Sequence, residues 1–180
     1  MHLIKQIIKQ MKNNSLDNYI LPSLQSSMIG GGDFGCVRLF ENERAQLGSV
    51  TPHSHRFDFT CLVLEGSVEN QQWFETDEKQ GDFFELSSIT YGGEPGKYER
   101  RKEGRNFYKY TPSQYCKGET YSMVADDIHS IKFSKGAKVL FSEGAKKSDI
   151  SLILEPVVNG RKIETRASLP WMYEPVAEQL

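Results

Sequence analysis

The stretch 51-TPHSHRFDFTCLVLEGS-67 places His53 and His55 one residue apart, at the mouth of an aromatic and aliphatic run that ends on Gly66. Alternate residues of a β-strand share a face, so the two imidazoles project the same way and can converge on one point. Phe57, Phe59, Cys61 and Val63 follow on that face, and Pro52 puts the pair at the entry from loop to strand. A lone histidine in such a place is usually a satisfied core residue; two in this register point to a metal. A first-row metal needs at least three protein ligands, and only two further histidines exist. His2 lies near the N-terminus and is expected at the surface. His129, in 118-GETYSMVADDIHSIKF-133, opens another apolar-alternating segment after a turn built from Asp126 and Asp127. If the two strands pair within one barrel, His129 closes a three-histidine set.

The rest of the chain fits a β-rich body. Glycines at short intervals separate segments rich in Val, Ile, Phe, Tyr and Thr, which mark turns between short strands. Strands are expected over 34–40, 60–64, 67–75, 82–87, 106–111, 119–124, 130–133 and 138–142, the pattern of an all-β sandwich or barrel rather than of βαβ units. Ahead of them, Leu3, Ile4, Ile7, Ile8 and Met11 recur at three- and four-residue spacing, which predicts an N-terminal amphipathic helix packed on the body's own sheet. The expected division is helix and linker over 1–22, β-barrel over 23–168 and a tail over 169–180, with Trp171 and Tyr173 pinning the tail.

Composition narrows the class of partner. The 22 Lys and Arg nearly balance 24 Asp and Glu, a net charge of −2 over 180 residues, so no charge excess points to nucleic acid or an anionic membrane. A small-molecule partner is expected. Cys36, Cys61 and Cys116 are odd in number and lack C-x-x-C spacing, which fits unpaired thiols in a reducing compartment. No apolar run approaches the roughly 20 residues that span a bilayer. A cytoplasmic protein is expected, and exposed edge strands make a homodimer plausible.

On these residues the chain resembles the cupin superfamily, small jelly-roll β-barrels with a metal at the barrel's centre. His53, His55 and Gly66 match the family's H-x-H and its closing glycine at the right separation, with the opening glycine displaced by one, to Gly48. Gly118 and His129 match the second motif, while Val124, Asp126 and Phe133 stand where the family has proline, glycine and asparagine. Phe59 occupies the place of the family's ligating glutamate, and Asp58 falls on the opposite strand face. The resemblance therefore implies a three-histidine first shell of His53, His55 and His129, as in thiol dioxygenases and a β-diketone-cleaving dioxygenase. It implies Fe(II), with Zn, Mn or Ni supported by the same shell. Three neutral imidazoles leave the metal's positive charge available, which favours an anionic substrate.

Candidates to complete the site are Tyr108, Tyr110 and Tyr121, each also readable as a barrel-filling aromatic. Arg38 and Arg56 could receive a carboxylate. The glycine-rich charged segment over 92–106 reads as a solvated loop or hairpin tip, or a lid over the barrel mouth. Two function classes stand open, a non-haem iron dioxygenase and a ligand-binding or sensing cupin, with metal-dependent hydrolase or isomerase chemistry as a third.

Overall fold

The computed structural model describes residues 15–17, 19–29, 36–46, 48–91, 98–158 and 161–162. The helix expected over 1–14, His2 and the tail over 169–180 lie outside these residues. The described regular elements are twelve strands, and no described helix is long and apolar enough to cross a membrane. They are β1 (Ser15–Leu16), β2 (Leu24–Ile29), β3 (Val37–Asn42), β4 (Phe57–Glu65), β5 (Ser67–Thr76), β6 (Asp82–Tyr91), β7 (Tyr98–Cys116), β8 (Thr120–Met123), β9 (His129–Phe133), β10 (Lys138–Lys146), β11 (Ile150–Val158) and β12 (Arg161–Lys162). β1 already belongs to a sheet, so the β-structure begins within the stretch expected to be a linker.

The first sheet runs β1-β2-β3-β10-β4-β8 and the second β12-β11-β6-β7-β5-β9. Residues 50–54, too short for a named strand, join the second sheet beside β9: Val50 N donates to Ile131 O, and His53 and His129 exchange both backbone bonds at 2.8 and 2.9 Å. Segments β3, 50–54, β4, β5, β7, β8, β9 and β10, with β6 added in sequence between β5 and β7 and joining the second sheet, thus divide between the sheets in the interleaved order of two Greek keys, a jelly-roll winding. Gly66 makes one of its tightest turns, at φ +68°, where a Cβ would meet Ser134 Oγ at 2.7 Å and Ala137 Cα at 3.0 Å. Only glycine satisfies both the backbone angle and the space.

The second sheet closes on itself. From β9 the ladder passes through 50–54 to β11, where Ser54 N donates to Leu152 O and Leu154 N to Pro52 O, then to β6, β7 and β5 and back to β9. The closure shows in two aromatic rings. Trp73 pairs with Tyr110 on one edge of β7 and Phe84 with Asn106 on the other, yet their rings stand 5.1 Å apart. Side chains so far separated on a flat sheet meet only on its concave face, and a register shift between Leu86 and Ser87 supplies the bend.

Two cores follow. The larger lies between the sheets and buries Leu24, Val63, Val68, Ala137 and Val139 almost completely, with Phe59, Tyr121, Met123, Phe133 and Phe141 around them. Each buried leucine or valine of this kind contributes about 1.5–3 kcal/mol. The smaller fills the curl of the second sheet with Phe84, Tyr108 and Leu154, flanked by Trp73, Leu86 and Ile128.

Besides the two-residue β1 and β12, three longer stretches differ from expectation. Residues 98–106 of the charged segment are the first half of the 19-residue β7 rather than a loop or lid, because its charges have ladder partners: Arg105 and Lys102 donate to Glu85 at 2.9–3.3 Å and Arg100 pairs with Glu155. Residues 92–97 lie outside the described residues. β2 and β11 were not expected as strands; β11 carries Pro156 within its run, a residue that argues against a central strand.

Candidate metal centre

His53 and His129 are directly opposed across the backbone bridge, so register alone puts their side chains on one face of the second sheet. His55 stands where the chain crosses to the first sheet, since Phe57 begins β4 there. The H-x-H pair is thus a crossover between sheets and not the first turn of the strand that follows. The ring centroids form a near-regular triangle, 4.9 Å from His53 to His55, 5.2 Å from His53 to His129 and 5.1 Å from His55 to His129. His53 and His129 are buried and His55 half-buried.

Hydrogen bonds fix which nitrogen of two rings faces the centre. His53 Nδ1 lies 2.8 Å from the Thr51 carbonyl oxygen, and His129 Nδ1 2.7 Å from Asn70 Oδ1. Both partners are acceptors, so both Nδ1 atoms carry the proton and both Nε2 lone pairs point inward. Asn70 is itself anchored, its amide donating to Met123 Sδ at 3.4 Å. His55 Nε2 and His129 Nε2 are 3.0 Å apart. One ligand atom from each histidine lies within 4.8 Å of the others. Two ligands bound about 2.1 Å from one ion stand about 3.0 Å apart at a right angle and about 3.4 Å apart at the tetrahedral angle. The His55–His129 spacing already meets this, and the third ligand atom lies within 4.8 Å of the other two.

The electrostatics favour neutral ligands. Burial holds the His53 imidazole below its ordinary range, against the opposing pull of the Thr51 carbonyl. Burial, then the charges of His53, His129 and Arg56, hold His55 well below it, and burial with His53 does the same for His129. Asp58 is not drawn in: its carboxylate accepts from Ala125 N at 3.0 Å and pairs with Lys147 at 3.1 Å. Phe59, at the position of the missing glutamate, packs on His55 at 4.7 Å and on His129 at 5.2 Å. Phe57 and Phe141 approach His55 at 5.4 and 5.8 Å.

The other expected residues divide by strand face. Tyr121 lies in the core beside the centre, edge-on to Phe59 at 6.3 Å and stacked on Tyr115 at 4.5 Å. Burial and then the neighbouring Cys61 thiol push its phenol well above the ordinary range, so it stays protonated. Tyr108 and Tyr110 face the other way: Tyr108 is buried in the smaller core against Phe84, and Tyr110 is 46% exposed beside Trp73. Arg38 pairs with Glu143 at 3.2 Å, and Arg56 lies over the Tyr91 ring at 4.0 Å. Cys36 and Cys61 are buried free thiols and Cys116 an exposed one. Asn70 and Ile153 were missed. An asparagine inside 67-SVENQQWFET-76 is a visible signal, a polar residue at a core-facing position; Ile153, opposite His53, sat in the overlooked β11.

No protein-family model and no curated protein matches this chain. Several solved structures resemble it in chain path. The structure of KdgF from Halomonas sp. is 14% identical with a TM-score of 0.43, covering 75% of this chain and 91% of that one. Hydroxypropylphosphonic acid epoxidase from S. wedmorenis is 10% identical with a TM-score of 0.46 over 75% of this chain, which spans 57% of the epoxidase. An RmlC-like cupin protein from Desulfovibrio desulfuricans is 15% identical with a TM-score of 0.39, covering 67% and 81%. At these identities and scores nothing about activity is carried over. Solved structures similar to this chain therefore include cupins, and the chain gathers three histidines within its own two-sheet winding.

Proposed function

We propose that this is a metal-binding protein of the cupin type, in which His53, His55 and His129 hold one divalent transition metal. Fe(II) is the first candidate, with Zn, Mn and Ni behind it. The activity proposed is that of a non-haem dioxygenase acting on a small anionic organic substrate of the thiol or diketone kind. The observation that carries this reading is the pair of oriented rings: the Nδ1 atoms of His53 and His129 are committed to Thr51 and Asn70, which leaves their Nε2 lone pairs to bind a metal, that of His129 3.0 Å from His55 Nε2. Structural sites close their shell, whereas catalytic ones keep a position open. A bound iron would supply Lewis acidity and a place for dioxygen beside the substrate. The chain's own part is to hold three neutral imidazoles, fix their tautomers through Thr51 and Asn70, and keep water back with Phe57, Phe59 and Phe141.

A second reading has its own support. The hydrogen bonds of the His55 and His129 rings go to each other and to Asn70, and no described carboxylate joins the histidine group, so the centre has no evident proton-transfer partner. That favours a ligand-binding or sensing protein, and the same shell with another metal would suit hydrolase or isomerase chemistry. Elemental analysis of protein purified without added metal, followed by oxygen uptake against thiols and diketones, separates them. Iron with substrate-dependent uptake is expected; metal without uptake supports the binding reading, and no metal under any loading condition refutes both metal-dependent readings.

A further inference from the structure

Phe59 is the one described phenylalanine whose ring approaches two of the three imidazoles, His55 at 4.7 Å and His129 at 5.2 Å. It is 3% exposed, and Phe141 braces it at 4.8 Å. Its cross-strand neighbours are Met123 on β8 and Glu143 on β10. Met123 accepts the Asn70 amide. Glu143 is the carboxylate nearest in register to this wall, but it is engaged by Arg38, whose Nε donates at 3.2 Å. Phe57 and Phe141 extend the same apolar surface along His55. The side of the centre toward the first sheet is therefore a wall of rings, with Glu143 and Asn70 beside it already engaged.

We propose that Phe59 is a specificity-determining residue, and that the centre prefers an anion with an apolar body to an anion carrying further charge. This rests on the reading of His53, His55 and His129 as metal ligands. A charged group placed against Phe59 would exchange its water for the face of an aromatic wall, which is costly. An apolar body in the same place trades water for ring contacts. A discrimination on the order of tenfold or more is within what one such contact delivers.

The test holds the donor atom constant and changes only the body. Protein loaded with Co(II) is titrated without oxygen with propane-1-thiol and, separately, with L-cysteine, following the thiolate-to-metal absorption band; each thiol binds as thiolate and gives its proton to the buffer. The expected dissociation constant for propane-1-thiol is at least about tenfold below that for cysteine, although cysteine can also chelate through its amine. Phe59→Ala should bring the ratio close to one. Phe59→Leu, which keeps the core filled, should reduce it about two- to threefold, a smaller loss in line with a part-filled apolar contact, and it carries the test if the alanine variant does not fold. Equal or tighter cysteine binding by the unsubstituted protein, or an unchanged ratio in the folded Phe59 variants, overturns the inference while leaving the metal site standing. Failure to take up Co(II) at all overturns the metal reading beneath it.

Discussion

Two buried polar clusters lie on the same face of the closed second sheet, and the chain treats them in opposite ways. His53 is in register with Ile153, and Ile153 with Ser87. Two residues further along the same strands, Glu155 stands opposite Glu85, and alternation keeps all of them on one face. The glutamates are 6% and 2% exposed and would repel each other across the ladder. Three cations from β7 prevent this. Arg105 gives Glu85 two hydrogen bonds at 2.9 and 3.0 Å, Lys102 a third at 3.3 Å, and Arg100 binds Glu155 and donates to Ser87 at 3.1 Å. Burial pushes the Glu85 carboxyl up, but Arg105 and Lys102 outweigh it and hold the group below its ordinary range. The histidines are instead kept neutral by burial. A buried charge whose partners are supplied within the fold marks a structural cluster; neutral lone pairs converging on one point mark a site built for a guest.

The largest effect separating the clusters is on metal binding. His53→Ala and His129→Ala should each abolish stoichiometric uptake, read by titration, while circular dichroism shows the β-fold retained. Full metal content in either folded variant would break the distinction. Next in size is the anchor of His129. Asn70→Leu removes the acceptor for Nδ1 and should weaken metal affinity about 10- to 100-fold, measured by competition with a chelator, whereas Asn70→Asp, which still accepts, should stay within a few-fold of the original. On the other side, Glu85→Gln should leave metal stoichiometry unchanged and cost about 1–3 kcal/mol of stability in urea unfolding. If it altered metal affinity as much as Asn70→Leu does, the two clusters would not be independent.

The smallest and most discriminating effect is on pH dependence. The histidine values are lowered on folding, so the folded metal-free chain binds fewer protons than the unfolded one. Their contribution is complete above the unfolded value of about 6.5 and is lost as pH falls below it. Glu85 is also lowered; its contribution is complete above about 4.3, the unfolded glutamate value, and is lost only in more acid solution. The metal-free protein should therefore lose stability in two stages, and each should flatten separately, the first in His129→Ala and the second in Glu85→Gln. A single stage unaffected by His129→Ala would contradict the account of the histidines.

How much of this could be read beforehand depended on whether a feature was local. The H-x-H spacing, the later histidine and the glycine-punctuated alternation are local, and from them the all-β body and the three converging imidazoles were legible. What pairs with what was not. Residues 98–106 look solvated because their cations follow one another in sequence, and only the position of Glu85 and Glu155 across two ladders makes them strand residues. Tyr108 and Tyr110 share a face as alternation requires, but which core that face meets is set by the closure of the second sheet. The same long-range fact makes His53 a partner of His129 rather than a continuation of β4. Asn70 was visible only as a polar residue in a strand until His129 came within 2.7 Å of it.

The most direct test of the central claim is X-ray absorption spectroscopy of the chain loaded with one equivalent of Zn(II). Three imidazoles gripping one ion predict about three nitrogen scatterers near 2.0–2.1 Å, with the outer-shell pattern of histidine rings, and the loss of one ring in His129→Ala. An ion surrounded by oxygen with one imidazole or none, or a spectrum unchanged by that substitution, would contradict it.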